Sequence, residues 1–361
     1  MKVQLMSMQK KIKVLIVDDS ALVRDILEKG LSGDPVIDVV GTAPDVYVAR
    51  DLIISKKPDV LTLDIEMPRM DGIEFLRRLM PQYPLPVVVV SSLTQKGKKI
   101  TMEALEAGAI DFVPKPTSDV ARGLKNMMLE LRTKIKIASM ANVSHWKNVK
   151  FDKIEKQSTK TTSLAESTDK VIAIGASTGG TEALKVVVNA LPPTIPGIVV
   201  VQHMPSGFTK TFADRLQQTS MLQVKEAEEG DRIMTGRCII APGNYHLEIV
   251  RSGGYYKVKL NQKDKVNGHR PSVNVMMHSV AKYAAANSYG VMLTGMGSDG
   301  AEGLLAMKKA GAKTFGQNEE TCVVYGMPKA AFDMGAIDVE LPLHEIAKNL
   351  VHIIKKDMKK L

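Results

Sequence analysis

The sequence predicts an α/β protein built as two parallel-sheet domains joined by a polar tether. Three observations predict it. Short apolar runs alternate with helix-spaced runs from Lys13 to about Ile135. The alternation lapses into a Ser/Thr/Lys-rich stretch and then resumes at Lys170. The expected organisation is an N-terminal extension over 1–11, a first domain over 12–137, a polar linker over 138–169 and a second domain over 170–361. A chain of 361 residues has room for two or three domains.

Composition narrows the class. The chain is 44% hydrophobic and 24% charged, enough apolar material to bury real cores. Forty-nine basic against 39 acidic residues leave +10, which permits an acidic partner or nucleic acid and sets no fold. Cys238 and Cys322 cannot form a disulfide framework, which favours a reducing compartment. No apolar run approaches the roughly 18–20 residues of a membrane helix, and Met1–Lys11 lacks a long apolar signal core. The expectation is a cytoplasmic protein without membrane insertion.

In the first domain, Lys13–Asp19 (KVLIVDD) is a short apolar run ending in acids, as a buried parallel strand would be. Ser20 can cap the next helix, whose Leu22, Ile26 and Leu27 share a face. Strands follow at Ile37–Ala43, Pro58–Asp64, Pro86–Ser92 and Ile110–Pro114. Helices alternate with them at Asp45–Lys57, Asp71–Met80 and Gly97–Gly108. A fifth helix starts near Asp119 and carries Leu124, Met128, Leu131 and Ile135 at helical spacing.

Ligands of such sheets sit at the carboxyl ends of the strands. Asp18 and Asp19 end the first strand, Asp64 the third and Ser91 the fourth, while Lys115 follows the fifth. A single Asp after a strand is ordinarily a turn residue or a helix cap. Three carboxylates gathered at one edge instead call for a hard cation, and Mg²⁺ suits carboxylates, waters and a phosphate oxygen. One of the acids can be a nucleophile that becomes an aspartyl phosphate, with Lys115 and the Ser91 hydroxyl on the phosphoryl oxygens.

The segments VDDS, LDIEMPRMDG, VVSS and FVPKP closely resemble the receiver domain of two-component response regulators, over roughly residues 12–125. The resemblance implies a flavodoxin-like fold of five parallel strands. It implies Asp64 as phosphoacceptor, Asp18, Asp19 and Asp64 as the Mg²⁺ holders, and Ser91 with Lys115 as the switch pair. It also implies a cis Lys115–Pro116 bond.

From about Ala138 the periodicity fades. Gln157–Thr168 has seven Ser/Thr in twelve residues, and lysines recur at 147, 150, 153, 156 and 160, as in a solvated tether. Trp146 at its start either docks on a domain surface or rests in loose contact, and His145 reads as an exposed linker residue.

In the second domain Lys170–Ala176 is a buried strand running through Ser177-Thr178-Gly179-Gly180 into a helix, Thr181–Leu191. Pro196–Gln202 is the next strand, leading to His203 and a helix over Phe208–Gln218. Ile233–Ala241, His246–Val250 and Tyr255–Leu260 read as shorter, more polar strands, the last two joined by a turn at Ser252-Gly253-Gly254. Val273–Ala286 is a helix, Tyr289–Thr294 a strand, Asp299–Ala310 a helix, Lys313–Gln317 a strand and Met327–Met334 a short helix.

Residues 175–179 read G-A-S-T-G between a strand and a helix, the setting of a nucleophile elbow. The same glycine turn can also cradle a phosphate or dinucleotide, although Ser177 stands where the second glycine of the dinucleotide fingerprint belongs. Of the seven histidines only His203 follows directly on a buried strand, one crossover after Ser177. Asp299 reaches the same edge on the loop Gly295–Gly300 and can orient the imidazole. Taken singly, His203 can be a core histidine and Asp299 a helix cap. The second domain has buried strands and glycine loops where a DNA-binding response regulator needs a basic recognition helix, so no nucleic acid is expected.

The segments AIGASTGG, VVVQHMP, APGNYHLEI, HRPSVN, GVMLTGMGSDGAEGL and VVYGMPKAA closely resemble the catalytic domain of the chemotaxis protein-glutamate methylesterases. Asn274, where an acid is common, and the Lys-rich tail are the departures. The resemblance implies a doubly wound α/β esterase domain with a β-hairpin insertion. It implies Ser177 as nucleophile, His203 as base, Asp299 as orienter, and Thr178 and Met296 as site-lining residues that contribute to the oxyanion hole. It implies phosphorylation-activated hydrolysis of glutamate γ-methyl esters on methyl-accepting chemotaxis receptors, releasing methanol, and deamidation of receptor glutamines. A chemotaxis histidine kinase is the implied phosphodonor, and the esterase site needs no cofactor. In that family the resting receiver covers the catalytic crevice. The charge of +10 either steers the enzyme to acidic receptor helices or merely solvates it.

Overall fold

The computed structural model describes residues 10–67, 71–116, 120–149 and 170–358. The chain divides into two compact units, Met1–Phe151 and Asp152–Leu361. Gln157–Thr168 lies outside the described residues, as does most of the 1–11 extension.

The first unit has one sheet of five strands. They are β1 (Ile12–Val17), β2 (Ile37–Ala43), β3 (Val60–Asp64), β4 (Val87–Ser91) and β5 (Asp111–Pro114), in the order β2-β1-β3-β4-β5. Every pairing is parallel. Helices α1 (Ala21–Ser32), α2 (Val46–Lys56), α3 (Gly72–Gln82), α4 (Gln95–Glu106) and α5 (Val120–Ala138) supply the crossovers. β3 and β4 are buried along their whole length, which is why they read as unbroken apolar runs. The strand order reverses between β1 and β3, and the crevice beyond that pair receives Asp18 and Asp64.

Two details differ from the sequence reading, and a third decides between alternatives it left open. Leu22 is exposed, because it stands about 140° round α1 from the buried Leu27 and about 180° from the buried Leu31. The Lys115–Pro116 bond is not cis; among the described residues the cis bond is Arg270–Pro271. Trans is the lower-energy isomer even before proline, and Lys115 reaches the acids from it. Finally, Trp146 is buried on the first unit. Its indole lies against Gly108, and the Asn148 amide donates to Pro81 O at 3.1 Å. The chain between α5 and Val149 therefore turns back on this unit, whereas the sequence reading has it leaving.

The second unit is built on seven parallel strands. These are β6 (Val171–Ala176), β7 (Gly197–Gln202), β8 (Gln223–Glu226), β10 (Arg237–Ile240), β13 (Ser288–Met292), β14 (Lys313–Gln317) and β15 (Val339–Leu341). Their order is β15-β14-β13-β6-β7-β10-β8. From β6 the chain winds outward one way and from β13 the other, so the switch point lies between the two central strands. A smaller antiparallel sheet joins β9 (Arg232–Ile233), β11 (His246–Ser252) and β12 (Tyr255–Asn261). Helices α6 (Gly180–Asn189), α7 (Phe208–Thr219), α8 (Val273–Tyr283), α9 (Ala301–Lys309), α10 (Met327–Asp333) and α11 (Leu343–Met358) cover the sheet. One core fuses sheet and hairpin: Val199, Ile239, Leu247, Ile249, Met276 and Leu304 are all fully buried.

The run Ile233–Ala241 reads as one strand but forms two. A turn at Met234–Gly236, with Gly236 at φ +77°, lets the chain leave the antiparallel sheet and enter the parallel one. The sequence reading ends at Met334 and lacks β8, β15 and α11. The burial of Ile346, Leu350 and Ile354 at four-residue spacing is the signal for α11 that it leaves unused.

Candidate active site

Three side chains from three separate loops meet at the switch point of the second sheet. The Ser177 elbow follows β6, and its amide donates to Thr294 O at 3.0 Å, tying it to the end of the β13 strand. Gly179 takes φ +75° just before α6, a conformation that suits glycine. Gly295 must also be glycine, since a Cβ there would stand 2.6 Å from the Ser177 Cβ. The loop after β13 thus abuts the elbow.

His203 follows β7, and its amide donates to Ala176 O at 3.2 Å. The imidazole Nδ1 lies 3.2 Å from Ser177 Oγ, and Nε2 lies 2.9 Å from Asp299 Oδ2. This network assigns the proton to Nε2 and leaves Nδ1 to accept from the serine hydroxyl. The His203 and Asp299 side chains are 7% and 2% exposed, so their contact is largely shielded from water.

Asp299 does not cap the helix that follows it, because Gly300 holds that position. It sits instead at the N-terminus of α8, accepting from Val273 N (2.7 Å), Asn274 N (3.3 Å) and Ser272 Oγ (2.8 Å). Burial works to raise its pKa; the His203 contact, the Ser272 hydroxyl and the Val273 amide outweigh that and hold it below the usual carboxylate range. Thr178 is buried, and its carbonyl accepts from Thr294 Oγ1 at 3.0 Å, whereas Met296 is exposed at the rim. Helix α6 begins beside Ser177 without a side-chain cap, so its positive end favours negative charge there.

The sequence reading misses several supporting residues. Gln202 Nε2 donates to Ser177 O at 2.8 Å, Ser272 braces Asp299, and Asn274 Oδ1 accepts from Gly303 N at 2.8 Å. No periodicity marks them, because their partners lie 25 or more residues away.

The first unit holds a second centre. Asp18, Asp19 and Asp64 each offer a carboxylate oxygen within 4.8 Å of the others. Lys115 Nζ lies 2.6 Å from Asp64 Oδ2 and 3.3 Å from Asp18 Oδ2. Burial raises the Asp18 pKa, and the Asp64 charge adds to that against Lys115. Burial likewise works to lower the Lys115 pKa, but its hydrogen bond to Asp64 and the two acidic charges leave it raised. Such an arrangement suits a small hard cation. Ser91 is fully buried; its hydroxyl pairs with Thr101 Oγ1 and lies 3.4 Å from Gly97 O.

Together these centres define a two-part protein: a receiver-type unit with an acidic pocket, followed by an α/β unit with a hydrolase-type Ser-His-Asp chain. The family model of the response regulator receiver domain matches residues 14–125, and that of the CheB methylesterase matches 172–350. The chain is 61% identical to the protein-glutamate methylesterase/protein-glutamine glutaminase of Syntrophotalea carbinolica, covering 97% of this chain and 99% of that one. It is 49% identical to a protein of the same description, numbered 2, from Pseudomonas aeruginosa, over 94% and 96% of the two chains. The crystal structure of the Thermotoga maritima CheB methylesterase catalytic domain superposes with TM-score 0.51 at 41% identity, over 52% of this chain and 99% of that one. The chain belongs to the CheB methylesterase family and carries a response regulator receiver domain ahead of its methylesterase domain. No helix among the described residues is long and apolar enough to cross a membrane.

Proposed function

We propose that this chain is a protein-glutamate methylesterase and protein-glutamine glutaminase acting on methyl-accepting chemotaxis receptors in the cytoplasm. The observation that carries the reading is the continuous chain Ser177–His203–Asp299, with contacts of 3.2 and 2.9 Å at the switch point of the sheet.

Ser177 Oγ attacks the γ-carbonyl carbon of the modified side chain while His203 Nδ1 takes its proton. The imidazolium then gives that proton to the leaving group, which departs as methanol from an ester or ammonia from an amide. Water, deprotonated by His203, opens the acyl-enzyme to a free glutamate and restores the serine. Asp299 keeps the imidazole in the Nε2–H tautomer and balances its charge. Amides at the start of α6 around Thr178 and the loop at Met296 serve the developing oxyanion.

Phosphorylation of the receiver controls the esterase on this proposal. Asp64 is the phosphoacceptor and a chemotaxis histidine kinase the donor. The clustered oxygens of Asp18, Asp19 and Asp64 fit Mg²⁺, which when bound neutralises charge on the incoming phosphoryl group. Lys115 exchanges its carboxylate partners for a phosphoryl oxygen, and Ser91 leaves Thr101 to join it. The domain division we propose is a receiver over 12–137 and an esterase over 170–361, with residues 138–149 of the expected 138–169 tether packed on the receiver. Methanol release from methylated receptors, with and without Ser177→Ala, tests the reading. Turnover surviving that substitution would refute it.

A further inference from the structure

Just before the cis proline the chain makes a two-residue turn, Asn267-Gly268. Val266 N donates to His269 O at 3.1 Å and His269 N to Val266 O at 2.9 Å. Both central residues have positive φ, +53° and +80°, as a tight hairpin turn with an Asn-Gly pair requires. Its two polar side chains reach different members of the Ser177–His203–Asp299 chain. Asn267 Nδ2 donates to Asp299 Oδ1 at 3.2 Å. The His269 ring lies flat on the His203 ring, with centroids 3.7 Å apart and planes 5° apart.

The turn is itself fastened. Arg270 donates to Gln262 O at 2.7 Å, to Lys263 O at 2.9 Å and to Asn244 Oδ1 at 2.7 Å, and Asn244 N donates to Arg270 O at 3.1 Å. Closed by its own backbone bonds and tied by Arg270 to the loop after β10, it can act as a rigid plate.

His203 has a hydrogen bond at each nitrogen, but hydrogen bonds alone leave its plane free to tilt. A flat ring against one face removes that freedom. Burial, with His203 beside it, lowers the His269 pKa to about 4, so the plate is uncharged near neutrality. A neutral aromatic face attracts the imidazolium that forms in the reaction, where a second cation would repel it.

We propose that the Val266–His269 turn is a positioning device for the reaction, with Asn267 fixing Asp299 and His269 fixing the plane of His203. The proposal rests on the Ser177–His203–Asp299 reading and adds two residues outside it. The test uses the full-length protein, with two readouts: the rate at which an alkyl fluorophosphonate labels Ser177, and kcat and KM for methanol release. His269→Ala slows labelling and lowers kcat roughly 10–100-fold with KM little changed, since the loss is one of alignment. His269→Phe restores most of that loss because the plate is present again. Asn267→Ala lowers kcat less, and the double variant His269→Ala/Asn267→Ala costs less than the product of the two, because both act through one turn. In NMR spectra the His203 ring-proton resonance moves in His269→Ala and returns toward its place in His269→Phe. Wild-type labelling and kcat in His269→Ala overturn the proposal, and so does a His269→Phe variant as slow as His269→Ala. If the wild-type protein labels at a residue other than Ser177, the three-residue reading fails and takes the positioning role with it.

Discussion

Asp299 occupies two positions at once, and its chemistry follows from both. It holds Nε2 of His203, and it caps the N-terminus of α8, where orphan amides and the helix dipole favour an anion. A carboxylate so held stays ionised beside the imidazole. Ser177→Ala and His203→Ala should therefore each reduce methanol release by roughly 10⁴-fold, and the double variant should be little worse, because the residues act as a unit. Asp299→Asn should keep the fold and still cost heavily; a kcat near wild type in any of the three would contradict the mechanism. Asp299 also sets a pH dependence. Its folded pKa lies below the usual value of about 3.9, so its stabilisation is fully present above that pH and is lost as pH falls through the lowered value. Urea unfolding of the esterase unit should show a gap between wild type and Asp299→Asn that narrows on acidification. A gap independent of pH would mean the carboxylate charge contributes nothing.

Two elements of the first unit give independent readings of it. The turn after α5 buries Trp146, the single tryptophan of the chain, against Gly108. Indole emission should therefore follow unfolding of the receiver and ignore the esterase. Trp146→Ala should cost the receiver about 3–5 kcal/mol in urea melts, the range for emptying a buried aromatic site. A cost near zero would show the indole to be only lightly held. The loops after β1 and β3 gather Asp18, Asp19 and Asp64, and Lys115 pairs with Asp18 and Asp64. Mg²⁺ should raise the thermal midpoint of the receiver, and a small phosphodonor with Mg²⁺ should label Asp64 alone. Asp64→Asn should abolish the label, and replacing both Asp18 and Asp19 should abolish the label and the Mg²⁺ effect together. Phosphate found on a histidine or serine would refute the assignment.

At the scale of the whole molecule, the two units must communicate for phosphorylation to matter. Phosphorylation adds about −1.5 to −2 charge at the receiver edge. Ser91, now paired with Thr101, and Lys115, now paired with Asp64, would both turn to the phosphoryl group. On this proposal the receiver face beyond Phe112 would repack and its affinity for the esterase unit would change. A fragment starting near Lys170 should then turn over faster than the unphosphorylated full chain. Phosphorylation should raise the full chain and leave the fragment unchanged. Equal rates for fragment and unphosphorylated full chain would rule out inhibition by covering and leave recruitment or direct activation.

By itself the sequence determined the two parallel sheets, the placement of Ser177, His203 and Asp299 at strand ends, and the acids of the receiver pocket. These are legible because buried parallel strands are short apolar runs, and the residue after each run falls at a known edge of the sheet. Tertiary structure alone decided what each side chain meets. The split at Met234–Gly236 and the burial of Trp146 depend on contacts that no local pattern encodes. The same holds at the site. Asp299, which taken singly could cap its own helix, instead sits at the start of α8, because Val273 and Asn274 come to it from 26 and 25 residues away. His269 lies against His203 only because the chain returns from the hairpin sheet to the edge where β7 ends.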